Sequence, residues 1–345
     1  MPVLHVILPG DIDDPASPSG GNGYDRRICA GLADAGWSVR EHQVPGAWPE
    51  PSPTEHAALA GVLAGLPDDA LVLVDGLVAS VTPDALAAHA RRLRLVALVH
   101  LPREDDTEAR ALASATAIVA TSVWTRDRLL RRYALPADRV QVAAPGVDPA
   151  PLAVGSAAGS ALLCVAAVAW HKGQDVLVEA LADVTDRAWT LTCVGPLHRD
   201  PAFVQRLRDR LAVHRLDGRV RLAGPLTGER LAAAYAATDL LVHPSRGETY
   251  GMVVTEALAR GIPVLASAVG GVPDALGYAA TGDRPGVLVP PEDPAALATA
   301  LRQWWDDPTV RTRLRAAAAQ RRADLDDWTS TTNRIGMALK EAMAW

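Results

Sequence analysis

Two glutamates eight residues apart, Glu248 and Glu256, are the residues in this chain whose type and spacing best suit ligand chemistry. They lie in residues 243–258, where an apolar strand (Leu240–Val242) runs into a polar, glycine-containing loop and an apolar helix follows. A helix N-terminus offers unpaired N–H groups that favour an anion, and carboxylates accept hydrogen bonds from sugar hydroxyls. The segment therefore predicts phosphate donors at Thr249–Val253 between two carboxylates, an arrangement that suits a sugar nucleotide.

The same segment resembles the Glu-x7-Glu signature of retaining glycosyltransferases with the GT-B fold, in particular family 4. Its frame carries the resemblance: Pro-Ser precedes the first acid, Tyr-Gly lies between the two, and Glu-Ala-Leu-Ala-Arg-Gly-Ile-Pro-Val begins at the second. The resemblance implies that Glu248 contacts the donor sugar and Glu256 the nucleotide ribose. The alternative is purely structural, with Glu248 as a charge at a helix start and Glu256 as a surface residue of that helix.

Lys172 is a second candidate, because it stands in Val-Ala-Trp-His-Lys-Gly (168–173) where a helix begins. A compact cation there is well placed for diphosphate charge. The segment is similar to the family's Lys-Gly, which implies that Lys172 binds the donor diphosphate and stabilises the leaving group. The arginine that the family commonly carries five residues earlier is Ala167 here. We consider His171, Arg246 or an arginine of the first domain as a substitute.

His100 ends an apolar strand, and the family commonly has histidine at this place, near the donor sugar and the acceptor hydroxyl. The glycine-rich turn at residues 19–24 is similar to the family's Gly-Gly loop over the donor phosphates and acceptor. Its glycines lack the Gly-x-Gly-x-x-Gly spacing of a dinucleotide fingerprint. Asp11-Ile12-Asp13 follows the first strand without a nucleotide-fold context, so we expect no metal there.

The predicted site residues follow from these matches and fall into three groups. The catalytic group is His100, Lys172 and Glu248; the donor-binding group is Gly20, Gly21, Asn22, Leu226, Arg246, Thr249, Tyr250, Gly251, Met252, Val253 and Glu256; the acceptor group is Tyr24, Ser122 and Gly271. Ser122 also suits a helix N-cap whatever its other role. No cofactor or metal is expected, and the expected donor substrate is a nucleoside-diphosphate sugar, a UDP- or GDP-sugar.

Strands and helices alternate from end to end, which predicts an α/β protein with parallel sheets. The GT-B resemblance implies two Rossmann-like, doubly wound parallel-sheet domains facing a central cleft. A small, polar stretch at residues 150–160 predicts the linker between residues 1–150, the acceptor-side domain, and 151–328, the nucleotide-sugar domain. The final helix, 329–345, is expected to cross back onto the first domain, although packing on the second is compatible with the sequence. The proline-rich residues 45–56 predict an irregular surface excursion.

Composition excludes several classes of protein. At 345 residues the chain is long enough for two domains, and its net charge of −6 offers no general attraction to nucleic acid or an anionic membrane. We expect no nucleic-acid partner and no integral membrane segment, since no apolar run approaches the ~20 residues of a span. Three scattered cysteines suit neither a disulfide framework nor a zinc site, and with no visible signal peptide they favour a cytoplasmic location. A homodimer is left open.

The sequence thus predicts a retaining, metal-independent hexosyl-type glycosyltransferase that moves a sugar from a nucleoside diphosphate to a small-molecule hydroxyl. Three alternatives stay open: a nucleotide-sugar epimerase, a phosphorylase-like enzyme on the same fold, and an inactive nucleotide-sugar-binding protein. Ala167 is the feature that favours the inactive alternative. A phosphorylase would need a cofactor lysine, which we cannot identify.

Overall fold

The computed structural model describes residues 1–16, 18–156 and 158–344. Among these residues the chain forms two compact units. The first comprises Met1–Asp14, Ser19–Gly146 and the C-terminal segment from Asp326; the second comprises Pro15–Pro18 and Val147–Leu325. Each unit contains one six-stranded sheet in which every pair of neighbouring strands is parallel, as the alternation of strands and helices predicts.

The four inner strands of the first unit's sheet are buried along most of their length, as expected for parallel strands covered on both faces, whereas its two edge strands are partly exposed. Its spatial order is β2-β1-β3-β4-β5-β6, with the bounds β1 Val3–Pro9, β2 Ser38–Val44, β3 Leu71–Asp75, β4 Arg94–Val99, β5 Ala117–Ala120 and β6 Val140–Val142. The chain reverses its direction of travel across the sheet between β1 and β3. That reversal is a topological switch point, where open parallel sheets commonly bind ligands.

Helices flank this sheet, and two of them begin elsewhere than the sequence suggests. The first unit contains α1 Gly20–Asp34, α2 Pro53–Ala64, α3 Gly76–Ala79, α4 Pro83–His89, α5 Asp106–Ala113, α6 Val123–Arg132 and the C-terminal α14 Trp328–Ala344. The predicted excursion at 45–56 is wrong over its last residues, because Ser52 and Glu55 form a reciprocal capping box that starts α2 at Pro53. The glycines predicted to form a turn lie inside α1, since Ser19 caps the helix by accepting a hydrogen bond from the Asn22 N–H.

Helix α14 packs within the first unit, mainly against α1. Its residues Ile335 and Leu339 are fully buried in the core that also contains Ile28 and Leu32 of α1. At its start, the Trp328 ring meets the Tyr24 ring edge-on, with 5.7 Å between centroids. No helix in the described part of the chain combines the length and apolar character needed to cross a membrane.

The second unit repeats the architecture with the spatial order β12-β11-β10-β7-β8-β9. Its strands are β7 Ala161–Val165, β8 Thr190–Val194, β9 Val220–Leu222, β10 Leu240–His243, β11 Val264–Ser267 and β12 Gly286–Val289. Its helices are α7 Gln174–Ala182, α8 Pro201–Val213, α9 Gly228–Ala236, α10 Met252–Leu258, α11 Val272–Leu276, α12 Pro294–Asp306 and α13 Pro308–Arg321. Here the switch point lies between β7 and β10, which pair directly.

Candidate functional site

The switch point of the second unit brings together Lys172 and Glu248, which are 76 residues apart in the chain. Lys172 follows β7 and Glu248 follows the neighbouring β10, so both loops leave the same edge of the sheet. The Lys172 Nζ lies 2.6 Å from Glu248 Oε1, and the two side chains are only 21% and 13% exposed. The predicted phosphate cation and the predicted sugar-binding carboxylate are therefore direct partners.

Two more side chains hold the same Glu248 oxygen. The Ser245 hydroxyl donates to Oε1 at 2.9 Å, and the buried His243 Nε2 lies 3.2 Å from it. Burial alone would raise the pKa of Glu248, but the Lys172 ammonium and the His243 hydrogen bond lower it far below its usual value. These contacts favour the ionised carboxylate of Glu248, and its other oxygen, to which no hydrogen bond is formed among the described residues, can accept from a ligand.

Two glycines permit the close backbone approach that this arrangement needs. Gly173 has φ +68°, and a Cβ there would lie 2.1 Å from the Pro244 carbonyl oxygen, so only glycine lets the Lys172 turn pack on the β10 loop. Gly270 has φ +52°, and a Cβ would meet the Glu248 carbonyl oxygen at 1.6 Å. The neighbouring Gly271 N–H donates to that carbonyl at 3.1 Å. Gly271, predicted to contact the acceptor, thus supports the backbone of the Glu248 loop.

Glu256, the second acid of the motif, lies one helix turn into α10 and is partly buried. The Tyr235 hydroxyl donates to its Oε2 at 2.7 Å. Burial raises the pKa of Glu256, and the Tyr235 hydrogen bond and the Arg260 charge offset that effect only in part. The pKa values of the two acids are therefore shifted in opposite directions: the Lys172 cation favours the ionised form of Glu248, whereas burial disfavours the ionised form of Glu256. The carboxyl group of Glu256 can still accept a hydrogen bond from a ligand hydroxyl.

Arg246 is one of the residues considered as a substitute for the missing arginine at Ala167, but its charge is already paired. Its guanidinium makes two hydrogen bonds of 2.9 Å to Asp175, another of 2.9 Å to Glu292, and stacks over the Trp170 ring at 4.7 Å. It is only 12% exposed. The contacts show Arg246 bracing the loop after β10 against the start of α7, so its predicted contact with the donor stays a prediction.

His171, the other candidate substitute within this unit, stands beside Lys172. Burial and the neighbouring Lys172 charge lower its pKa, which favours the neutral imidazole. Its backbone carbonyl accepts from the Arg246 N–H at 2.9 Å, another bond between the two loops. A neutral ring supplies no charge in place of the absent arginine, and the role of Lys172 as the diphosphate cation stays a prediction.

In the first unit, His100 has two partners that the sequence analysis did not single out. Its Nε2 lies 2.8 Å from Asp25 Oδ1 in α1 and 3.5 Å from Asp75 Oδ2 at the end of β3. The two carboxyl groups are 2% and 3% exposed, and the His100 side chain is 16% exposed. The signal that could have found Asp75 is its position: like His100, it stands at the carboxyl end of an apolar strand beside the switch point.

These three side chains also have the spacing of a cation site, with one ligand atom of each within 4.8 Å of the others. The cavity that Asp25 and Asp75 line is about 10 Å³, which leaves room for roughly one water molecule. A divalent ion that prefers six oxygen ligands would find few of them there, since the other lining residues are mostly apolar, among them Val6, Leu8 and Ile28.

The other predicted site residues of the first unit differ in whether they are buried or lie beside His100. The Tyr24 hydroxyl donates to the Ala143 carbonyl at 2.8 Å and the Ser122 hydroxyl to Thr125 Oγ1 at 2.9 Å. Both residues are buried, and their predicted contact with the acceptor stays a prediction. Gly21 lies beside His100, since a Cβ there would be 3.7 Å from the imidazole ring. Gly20, Gly21 and Asn22 form the first turn of α1.

The remaining predicted donor contacts lie in the second unit. Leu226 lies in the loop after β9, and the loop and first helical turn before Glu256 comprise Thr249, Tyr250, Gly251, Met252 and Val253.

Comparison with known proteins identifies the family of this chain. Residues 159–307 match the family described as glycosyl transferases group 1. Over 297 residues the chain is 32% identical to D-inositol 3-phosphate glycosyltransferase 1 of Catenulispora acidiphila, an alignment that covers 75% of this chain and 69% of that protein. The chain belongs to the group 1 glycosyl transferases. Two further relatives named D-inositol 3-phosphate glycosyltransferase are matched over 57% and 54% of their own length.

Solved structures show the fold of this group 1 glycosyl transferase. Sucrose-phosphate synthase from Thermosynechococcus elongatus has a TM-score of 0.81 at 22% identity, with the whole of both chains covered. HepE from Anabaena, in a crystal structure with UDP and glucose, has a TM-score of 0.77 at 20% identity, with 99% of both chains covered. At such identities the likeness concerns the fold alone, and that fold is GT-B.

Proposed function

We propose that this group 1 glycosyl transferase moves a hexose from a nucleoside-diphosphate donor to a small-molecule hydroxyl with retention of the anomeric configuration. The observation that carries the proposal is the Lys172–Glu248 pair at the switch point of the second unit, held by Ser245 and His243. In such a pair the cation can bind a phosphate group, and the ionised carboxylate can accept a hydrogen bond from a sugar hydroxyl. We assign donor binding to the second unit and acceptor binding to the first.

Lys172 can bind the donor diphosphate while it keeps its hydrogen bond to Glu248. An ammonium group has three N–H donors, and one of them already bonds Glu248 Oε1. The others can bind diphosphate oxygens, whose negative charge grows as the sugar–phosphate bond breaks. A fixed cation aimed at developing charge is commonly among the largest contributions to catalysis. This supports a reaction in which the chain itself stabilises the leaving diphosphate and no metal is required.

The acceptor is proposed as a phosphorylated polyol of the size of D-inositol 3-phosphate. The support is the acceptor named for a relative that is 32% identical over 297 residues, D-inositol 3-phosphate glycosyltransferase 1. His100 is assigned to the reacting hydroxyls, as the family resemblance implies. UDP-sugars are the favoured donors, since the HepE structure of the same fold was solved with UDP and glucose.

A donor screen followed by a transfer assay tests the proposal. A UDP-sugar should raise the melting temperature, by linkage, more than UMP or a free sugar does. The same donor with D-inositol 3-phosphate should then yield a glycoside whose anomeric proton coupling matches that of the donor, with and without a chelator. Inositol and sugar phosphates serve as comparison acceptors.

Each arm of this screen has an outcome that counts against one part of the proposal. Tight donor binding without transfer to any acceptor would favour an inactive binding protein, and donor interconversion without acceptor would favour an epimerase. An inverted anomeric centre would reject retention. Loss of transfer with a chelator, restored by a divalent cation, would reject metal independence.

Glu256→Gln is expected to separate donor affinity from stability. Its folded-state pKa is raised, so Glu256 contributes most stability below its unfolded pKa and loses it as pH rises through the folded value. Glutamine cannot ionise, so the variant should match the wild type at pH 4 and be at least as stable at pH 8. It should bind the donor about tenfold more weakly, because a neutral amide accepts more weakly than a carboxylate.

Urea denaturation at the two pH values and calorimetric donor titration measure these two quantities. The exposed Glu229, in the first turn of α9, provides a matched control as Glu229→Gln. Unchanged donor affinity in Glu256→Gln would remove Glu256 from the ribose site.

A further inference from the structure

Asp25, Asp75 and His100 form a buried charged group at the switch point of the first unit. Helix α1, which carries Asp25, follows β1, and Asp75 ends β3, the neighbour of β1. His100 directly follows β4, which pairs with β3 in a register that sets Asp75 opposite Leu98. The three side chains therefore meet at the carboxyl edge of the sheet, although 75 residues separate Asp25 from His100.

The hydrogen bonds distinguish the two carboxyl groups. Asp25 Oδ1 accepts from His100 Nε2 at 2.8 Å, whereas the Asp75 Oδ2 is 3.5 Å from the same nitrogen. The other Asp75 oxygen, Oδ1, accepts from the Leu77 N–H at 2.7 Å. Asp25 is thus the direct partner of the imidazole, and Asp75 is tied to the start of α3.

The charges of this group balance when the carboxyl pair holds one proton and the His100 imidazole is protonated. Two adjacent buried carboxylates repel each other, so one takes up a proton. Burial and then the Asp25 charge raise the pKa of Asp75 well above its usual value. Burial opposes a charge on His100, but the negative charge of the carboxyl pair outweighs that effect and raises the pKa of His100. One negative charge on the carboxyl pair and an imidazolium at His100 leave no net charge.

The other titratable groups near the cluster do not change this balance. Tyr24 meets the His100 ring edge-on at 5.1 Å, and burial raises its pKa well above the usual value. Cys29 lines the same small cavity, and burial raises its pKa to about 12. Both are neutral at physiological pH. Of the nearby arginines, Arg26 in α1 is paired with Asp13 and Glu41, and Arg334 in α14 with Asp326.

We propose that Asp25 and Asp75 are a proton-sharing pair that positions His100 and keeps it protonated, so that its Nδ1–H donates a hydrogen bond to the substrate. Asp25 holds the Nε2 side of the imidazole, and no hydrogen bond to Nδ1 is formed among the described residues, so that nitrogen can donate to a ligand. This inference rests on the proposed function for the contact with substrate, but the protonation of His100 can be tested without it. His100 then acts as a donor to a substrate oxygen and not as the base that takes the acceptor proton.

The experiment compares Asp25→Asn with Asp75→Asn in the full chain, by nitrogen NMR of ¹⁵N-histidine-labelled protein between pH 5 and 9. The His100 signals are assigned by their loss in His100→Gln. In the wild type the His100 midpoint should lie above the ordinary value of about 6.5. Asp25→Asn removes the neighbouring charge and should lower that midpoint by about 1 to 2 pH units. Asparagine at 75 imitates a protonated Asp75, so Asp75→Asn should leave the midpoint within about half a pH unit of the wild type.

The transfer rate supplies the second readout. Because the protonated ring is the competent form, kcat should fall as pH rises through the His100 midpoint. That falling limb should move to lower pH in Asp25→Asn and stay in place in Asp75→Asn. A merely structural role would change the melting temperature of a variant without moving the limb.

Several results would overturn the inference. A wild-type His100 midpoint at or below 6.5 would do so even if Asp25→Asn failed to fold. Equal midpoints in the two variants would show that the carboxyl groups are not distinct. Broadening of the His100 signals by Mn²⁺, lost in Asp75→Asn, would assign the group to a cation. If no donor supports transfer but the midpoints behave as expected, the proposed function fails while the proton-sharing pair stands.

Discussion

Glu248→Gln is expected to lower the rate of sugar transfer by about 10- to 1,000-fold, the loss typical of one oriented charged contact at a reacting centre. Glutamine keeps the shape of the side chain and can still accept from Ser245, but it cannot balance the Lys172 charge. The ammonium group would lose its fixed position and the donor sugar would lose a carboxylate acceptor. Initial rates at saturating donor, with kcat and KM determined separately, measure the effect.

The same substitution is also expected to change how the free energy of unfolding depends on pH. The pKa of Glu248 is depressed in the folded state, so its carboxylate contributes stability above its unfolded pKa and loses it as pH falls through the folded value. The variant should therefore be less stable than the wild type at pH 7 and should lose less stability on acidification below pH 4. Glu229→Gln controls for a generic loss of one surface charge. Wild-type transfer by a folded Glu248→Gln would contradict the assignment of this residue.

Lys172→Ala is expected to weaken donor binding by about 10- to 100-fold and to lower kcat by a similar or larger factor. The effect on binding reflects the loss of a charged contact with the diphosphate. The effect on kcat reflects the loss of a cation where negative charge accumulates. Calorimetric titration with the nucleoside diphosphate alone isolates the first effect, and single-turnover transfer the second.

The chain offers its own control for this experiment. Lys172 is one of only two lysines, and the other, Lys340, is exposed on α14. Lys340→Ala should therefore leave binding and turnover unchanged. Lys172→Arg keeps the charge but alters its geometry, and we expect it to retain more diphosphate affinity than activity. Unaltered diphosphate affinity in Lys172→Ala would show that the diphosphate binds elsewhere.

The parallel α/β architecture was predictable because it follows from short patterns of apolar and polar residues along the sequence. Apolar runs such as those at Leu71–Val74 and Thr190–Val194 alternate with amphipathic segments, and the structure confirms the class and most of the elements. The failures are equally local in cause. Helix α2 was missed because its prolines suggested irregular chain, although the capping box of Ser52 and Glu55 makes Pro53 a favourable first residue.

The contacts between candidate site residues were not predicted from the sequence. Glu248 and Lys172 were each identified, but their direct contact was not, nor were His243 and Ser245 as supports of Glu248. Asp75 was missed altogether, because a lone aspartate after a strand carries no motif. It becomes informative only once β1, β3 and β4 are known to lie side by side.

The sequence by itself determined the fold class, the family and the chemistry of each loop, because a strand, its loop and the next helix are contiguous and their hydrogen-bonding needs are local. Only the tertiary structure decided which loops meet. Strand order is set by how whole strands and helices pack, and no short pattern records that β7 lies beside β10. That packing is what places Lys172 against Glu248 across 76 residues and gives His100 its two carboxyl partners.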